Sequence, residues 1–78
     1  MQLDKVQYLF EEGVLVSARV VPAPLLENKY LLEFVRSSGV VERLELARKK
    51  KDRIYRSIDA AAKKAREVGF KSVNVMFD

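Results

Sequence analysis

The 78-residue sequence predicts an α+β fold. It reads as an antiparallel β-meander of three to four strands, with a short N-terminal helix, one helix packed on the sheet and a C-terminal strand. Three observations lead there. Alternating apolar residues recur over Val14–Val21, Lys29–Arg36 and Val40–Ala47, each bounded by proline or a Ser/Gly turn. A capped, alanine-faced helical pattern follows from Ser57 to Gly69. The connections are too short to separate domains, so residues 1–78 form one unit.

The helix at 57–68 is the best-defined element. Ser57 suits the N-cap, where its hydroxyl accepts from an otherwise unpaired backbone N–H. Asp59 falls in the first turn, favoured by the helix dipole. Ile58, Ala61, Ala62, Ala65 and Val68 recur at helical spacing, and Gly69 is the stop signal. A stripe of such small residues lets a helix lie close on a flat surface, which a β-sheet supplies. The same period extends back through Ile54, leaving open one long helix over 47–68. Ser57 as a cap and the aromatic Tyr55 favour a break.

At the start, Asp4 and Gln7 have capping-box spacing, Leu3 is placed to staple onto Tyr8, and Gly13 ends the turn. In the first strand Val14, Val16, Ala18 and Val20 would point one way and Leu15, Ser17, Arg19 and Val21 the other. In the second, Tyr30, Leu32 and Phe34 share a face opposite Leu31 and Val35. In the third, Val40, Leu44 and Leu46 would face the core. Arg53–Arg56 reads as a short fourth strand. Phe70–Phe77 reads as the last, with Val73, Val75 and Phe77 aligned. The aromatics Tyr8, Phe10, Tyr30, Phe34, Phe70 and Phe77 are read as core.

Composition excludes most chemistry. There is no histidine and no cysteine, hence no imidazole base, no thiol nucleophile and no Cys/His zinc site. Glu11–Glu12 diverge on a helix, and Glu42 and Glu45 fall on opposite faces of a strand. The glycines are isolated, so no phosphate-cradling loop exists. The chain is read as non-enzymatic, without metal, cofactor or small-molecule substrate. No apolar run reaches membrane-spanning length and no signal-peptide pattern opens the sequence. The expectation is a cytoplasmic protein. So short a chain buries little surface, and a homodimer would help to stabilise it.

Charge is distributed unevenly. Residues 1–47 hold five bases and seven acids, and residues 48–78 hold ten bases and four acids, within a net charge of +4. The candidate nucleic-acid surface is therefore Arg48, Lys49, Lys50, Lys51, Arg53 and Arg56, with Lys63, Lys64 and Arg66 on the helix. These residue types bind phosphate by displacing condensed counterions. Tyr55 lies inside the patch. It is placed either to stack on a base or to pack beside the helix. Arg19 and Arg43 would extend the patch if the first and third strands were neighbours. The second reading is a protein-interaction surface on the sheet's other face, through Leu15, Leu31 and Val35, with Val21 and Met76 beside them.

Two resemblances follow from these residues. Leu46-Ala-Arg48, then Arg53-Ile-Tyr-Arg-Ser-Ile-Asp-Ala-Ala-Ala62 and Glu67-Val-Gly-Phe70, resemble the C-terminal half of small proteins encoded on plasmids and integrative elements. Those show a basic turn, an aromatic-x-Ser-Leu-Asp-Ala-Ala helix, a glycine and a final strand. The likeness covers about 30 residues, in the helix-capping pattern above all. A lysine run stands here where a glycine is expected. It implies an accessory role in plasmid or mobile-element maintenance and gives no residue an activity. The order α-β-β-β-α also resembles double-stranded RNA-binding domains. Their second helix starts on a lysine cluster, whereas this one starts Ser57-Ile58-Asp59 and a further strand follows.

Overall fold

The computed structural model describes residues 1–45 and 51–77. Helix α1 (Leu3–Glu11) leads into strands β1 (Leu15–Pro22), β2 (Tyr30–Arg36) and β3 (Val41–Arg43). Helix α2 (Ile58–Val68) and strand β4 (Asn74–Val75) follow. The sheet order is β3-β2-β1-β4. The pairs β1–β2 and β2–β3 are antiparallel, and β4 returns parallel to β1. The predicted α+β class is thus observed, with a mixed rather than wholly antiparallel sheet.

Both helices pack on one face. Val6 and Leu9 of α1 and Ala61, Ala65 and Val68 of α2 join Ala18, Val20, Leu32 and Phe34 in a single core. The rings of Phe10 and Phe70 meet edge to face at 4.7 Å, and Phe70 stacks on Phe34 at 5.7 Å. These contacts tie α1, the end of α2 and the sheet together.

Helix α2 follows the predicted grammar. The Ser57 hydroxyl accepts from the Ala60 N–H at 3.1 Å, and Gly69 closes the helix at φ +133°. Residues 51–57 are not helical, which excludes the long-helix alternative. Helix α1 differs from its predicted start. Its N-cap is Gln2, with no side-chain cap bond, and Asp4 lies within the first turn and accepts from the Lys5 N–H. Tyr8 is exposed rather than in the core, because it lies on the side of α1 away from Val6 and Leu9.

A β-bulge rewrites the first strand. Leu15 pairs with Arg36 and Ser17 with Val35, so Val16 is the extra residue. Before it, Leu15 points into the core; after it, Ala18 and Val20 do, while Val16 is exposed. The predicted uninterrupted alternation therefore fails at Val16. In the loop between β1 and β2, Leu25 and Asn28 both have positive φ, +63° and +55°. Asparagine tolerates this conformation, whereas leucine incurs a cost on the order of 1–2 kcal/mol.

Of the predicted third strand, Val41–Arg43 forms the ladder and Val40 is exposed, while its predicted end at Leu46 and Ala47 lies outside the described residues. The chain leaves β2 after Leu44 and returns through a Glu45–Asp52 bridge, with the Arg53 N–H donating to the Leu44 carbonyl. Tyr55 then bridges to Tyr30 on the stretch of β2 that β3 does not reach. The predicted strand at 53–56 is reduced to that one bridge. The predicted strand at 70–77 forms ladder pairs only at Asn74–Val75. Phe77 is 79% exposed, not core.

Candidate nucleic-acid interface

The arginines of the sheet and the cations of the second half differ in how they are paired, while Lys5 and Lys29 have no ion pair among the described residues and belong to neither group. The arginines of the sheet are neutralised at home. On the face opposite the helices, Arg19, Glu33 and Arg43 stand in register across β1, β2 and β3. Glu33 accepts from Arg19 Nε and from Arg43 Nε, both at 2.8 Å, and Arg43 also reaches Asp52 at 3.0 Å. Burial works against the charged form of Glu33. The two guanidinium hydrogen bonds outweigh it and hold the carboxyl below the usual carboxylate range. Arg36 pairs with Glu42 at 2.9 Å.

This arrangement corrects the expected extension of the patch. Strands β1 and β3 are not neighbours, because β2 lies between them, and its Glu33 takes up the charge of both Arg19 and Arg43.

In the second half the balance is reversed. Of the described bases there, Lys64 pairs with Glu67 at 2.8 Å. Lys51, Arg53, Arg56, Lys63, Arg66 and Lys71 are exposed and have no ion pair among the described residues. Packing of Ala61, Ala65 and Val68 on the sheet turns Lys63 and Arg66 to water. Arg66 and Lys71 line a groove beside the end of α2 with Ser72, against the apolar side chains of Ala62, Phe70 and Val73. On the other flank, Arg53 and Lys64 border a groove with the start of α1, where Asp4 and Glu45 also lie. Arg48, Lys49 and Lys50 of the predicted patch lie outside the described residues.

Tyr55 is not a stacking platform. Its side chain is 5% exposed and belongs to the core, and Arg53 lies over its ring at 5.3 Å. Burial raises the phenol pKa. Its hydroxyl has no hydrogen-bond partner among the described residues. Packing into the core is the reading that holds, because the Tyr30 bridge sets Tyr55 beside β2 and its side chain joins the core that α2 covers.

Lys71 was not singled out by sequence. It lies beyond Gly69 in a stretch read as a strand, and only the chain reversal there carries it to Arg66.

The predicted apolar interface is also redrawn. Leu15 faces the core because of the bulge, and Leu31 is 2% exposed. Val35 is half-buried on a face crossed by the Arg19–Glu33–Arg43 row. Met76, predicted beside that face, is exposed, and other large exposed apolar residues, Leu25, Leu26 and Phe77 among them, lie outside it.

No protein-family model, no curated protein and no solved structure matches the chain. Among the described residues, no helix is long and apolar enough to cross a membrane.

Proposed function

We propose that the protein is a small non-enzymatic accessory protein that binds nucleic acid through the outer side of α2 and its basic flanks. The contacting residues are Lys51, Arg53, Arg56, Lys63, Arg66 and Lys71, with Lys64 beside them. By sequence, the Arg48–Lys50 run continues the surface. The supporting observation is the partition of charge. Carboxylates neutralise the arginines of the sheet, whereas the cations around α2 are left to solvent. Exposed, unpaired lysines and arginines displace the counterions condensed on a phosphate backbone. The contacts would go to phosphates rather than bases, since Tyr55 is buried and the Phe70 ring is engaged by Phe10 and Phe34. The resemblance of the C-terminal half to plasmid-encoded proteins points to plasmid or mobile-element maintenance as the setting.

Anisotropy titrations of labelled duplex DNA, single-stranded DNA and RNA over a salt series test this. Six phosphate contacts predict a slope of log K against log salt of about −5 on duplex DNA. The triple change Lys63→Glu, Arg66→Glu, Lys71→Glu should abolish binding while the fold is kept. No binding at about 50 mM salt, or binding that ignores these substitutions, overturns the proposal.

A further inference from the structure

The two edges of the sheet are built differently. At one edge β3 is three residues long and carries Glu42 and Arg43. Charge is a usual protection of a strand edge, and it is charge that separates the two, since β4 has only two ladder residues. At the other edge, residues 72–77 read Ser-Val-Asn-Val-Met-Phe, without a charge or a proline. Such a run is a template for strand pairing.

The hydrogen bonds say which groups face outward. The register pairs Val75 with Val20, and the Met76 N–H donates to the Val20 carbonyl at 2.9 Å. In a parallel ladder, alternate residues bond to the neighbour. Asn74 and Met76 thus face β1, and the N–H and C=O of Val75 point off the sheet. The apolar surface continues past this edge. Phe77 lines a concavity with Leu25 and Leu26 of the β1–β2 loop. Leu25 is fully exposed in a left-handed conformation that leucine rarely adopts.

We infer that β4 is a dimerisation edge, and that its occupant is β4 of a second copy, paired antiparallel about a twofold axis. Twofold pairing needs a strand that complements itself. A run without charge does so with no like-charge contact, although the chain as a whole carries +4. Leu25, Leu26, Met76 and Phe77 expose apolar area on the order of 400–500 Å², roughly half of the ~800 Å² each partner gives a standard interface. Strand pairing along the edge adds to it. The proposed nucleic-acid surface is not used, so the two proposals stand or fall separately.

Light scattering and sedimentation of nucleic-acid-free protein test the inference. At about 100 μM the wild type should have twice the 9.0 kDa chain mass. Val75→Pro removes the outward N–H and leaves the Met76 bond to β1 intact. It should weaken association at least tenfold, as should Phe77→Lys and Leu25→Ser, with far-ultraviolet circular dichroism unchanged. If Val75→Pro does not fold, the two side-chain variants decide. A monomeric wild type at about 100 μM overturns the inference, as does a dimer indifferent to Phe77→Lys and Leu25→Ser. A monomer that sediments instead with anionic phospholipid vesicles through Leu25 and Phe77 overturns it in favour of a lipid surface.

Discussion

The ring of Phe10 is seated against the bare α-carbon of Gly69. A methyl group on Gly69 would come within 2.5 Å of Phe10 Cε2, and the residue is held at φ +133°. Gly69 therefore ends α2 and also admits the aromatic side chain by which α1 joins it. Phe10 in turn braces Phe70, which stacks on Phe34 in the sheet.

Gly69→Ala meets both penalties at once, a disfavoured backbone conformation and a collision with the Phe10 ring at the margin of the core. The expected destabilisation is roughly 2–4 kcal/mol, measured by urea unfolding. Phe10→Ala alone should not restore it, since the backbone strain stays. A loss under about 0.5 kcal/mol would contradict the described seat.

Glu33 should govern acid stability. Its pKa is lowered in the folded chain, so its contribution is fully present above the ordinary carboxylate value near 4.3. The contribution fades as pH falls through the lower folded value. Stability should be level from about pH 5 to 8, as the chain has no histidine, and should drop below about pH 4. Glu33→Gln leaves Arg19 and Arg43 without their shared acceptor. It should cost roughly 1–3 kcal/mol at neutral pH and shrink the acid-side slope, read from urea midpoints between pH 2 and 7. An unchanged slope would show that other carboxylates carry the effect.

Tyr55→Phe should be neutral or stabilising by up to about 1 kcal/mol, because it removes a buried hydroxyl that lacks a partner among the described residues. The wild type should also lose stability at alkaline pH. Its raised phenol pKa means that the contribution is complete below the ordinary value near 10 and is lost as pH rises through the folded value. Thermal melts of the two proteins at pH 7 and above pH 10 check both points. Nucleic-acid affinity should be the same in the two, since a buried ring stacks on nothing. A selective loss of single-strand binding in the variant would reverse that assignment.

Local chemistry is what the amino-acid sequence settled alone. The Ser57 cap, the Ala61/Ala65 stripe and the Gly69 stop depend on neighbours within a turn, so spacing suffices to read them. The alternation over Leu31–Phe34 is equally local, and the α+β class follows from these pieces. Pairing between distant segments belonged to the tertiary structure. The bulge at Val16 exists because β1 must meet β2 in one register, and it moved Leu15 from the open face to the core. Tyr55 joined the core because Tyr30, 25 positions earlier, took it as a partner. Arg19 and Arg43 lost their place in the basic surface because Glu33 falls between them. Lys71 gained one because the chain turns back after Gly69. Each of these outcomes was set by which strand became whose neighbour, and the free energy of that choice is spread over contacts far apart along the chain.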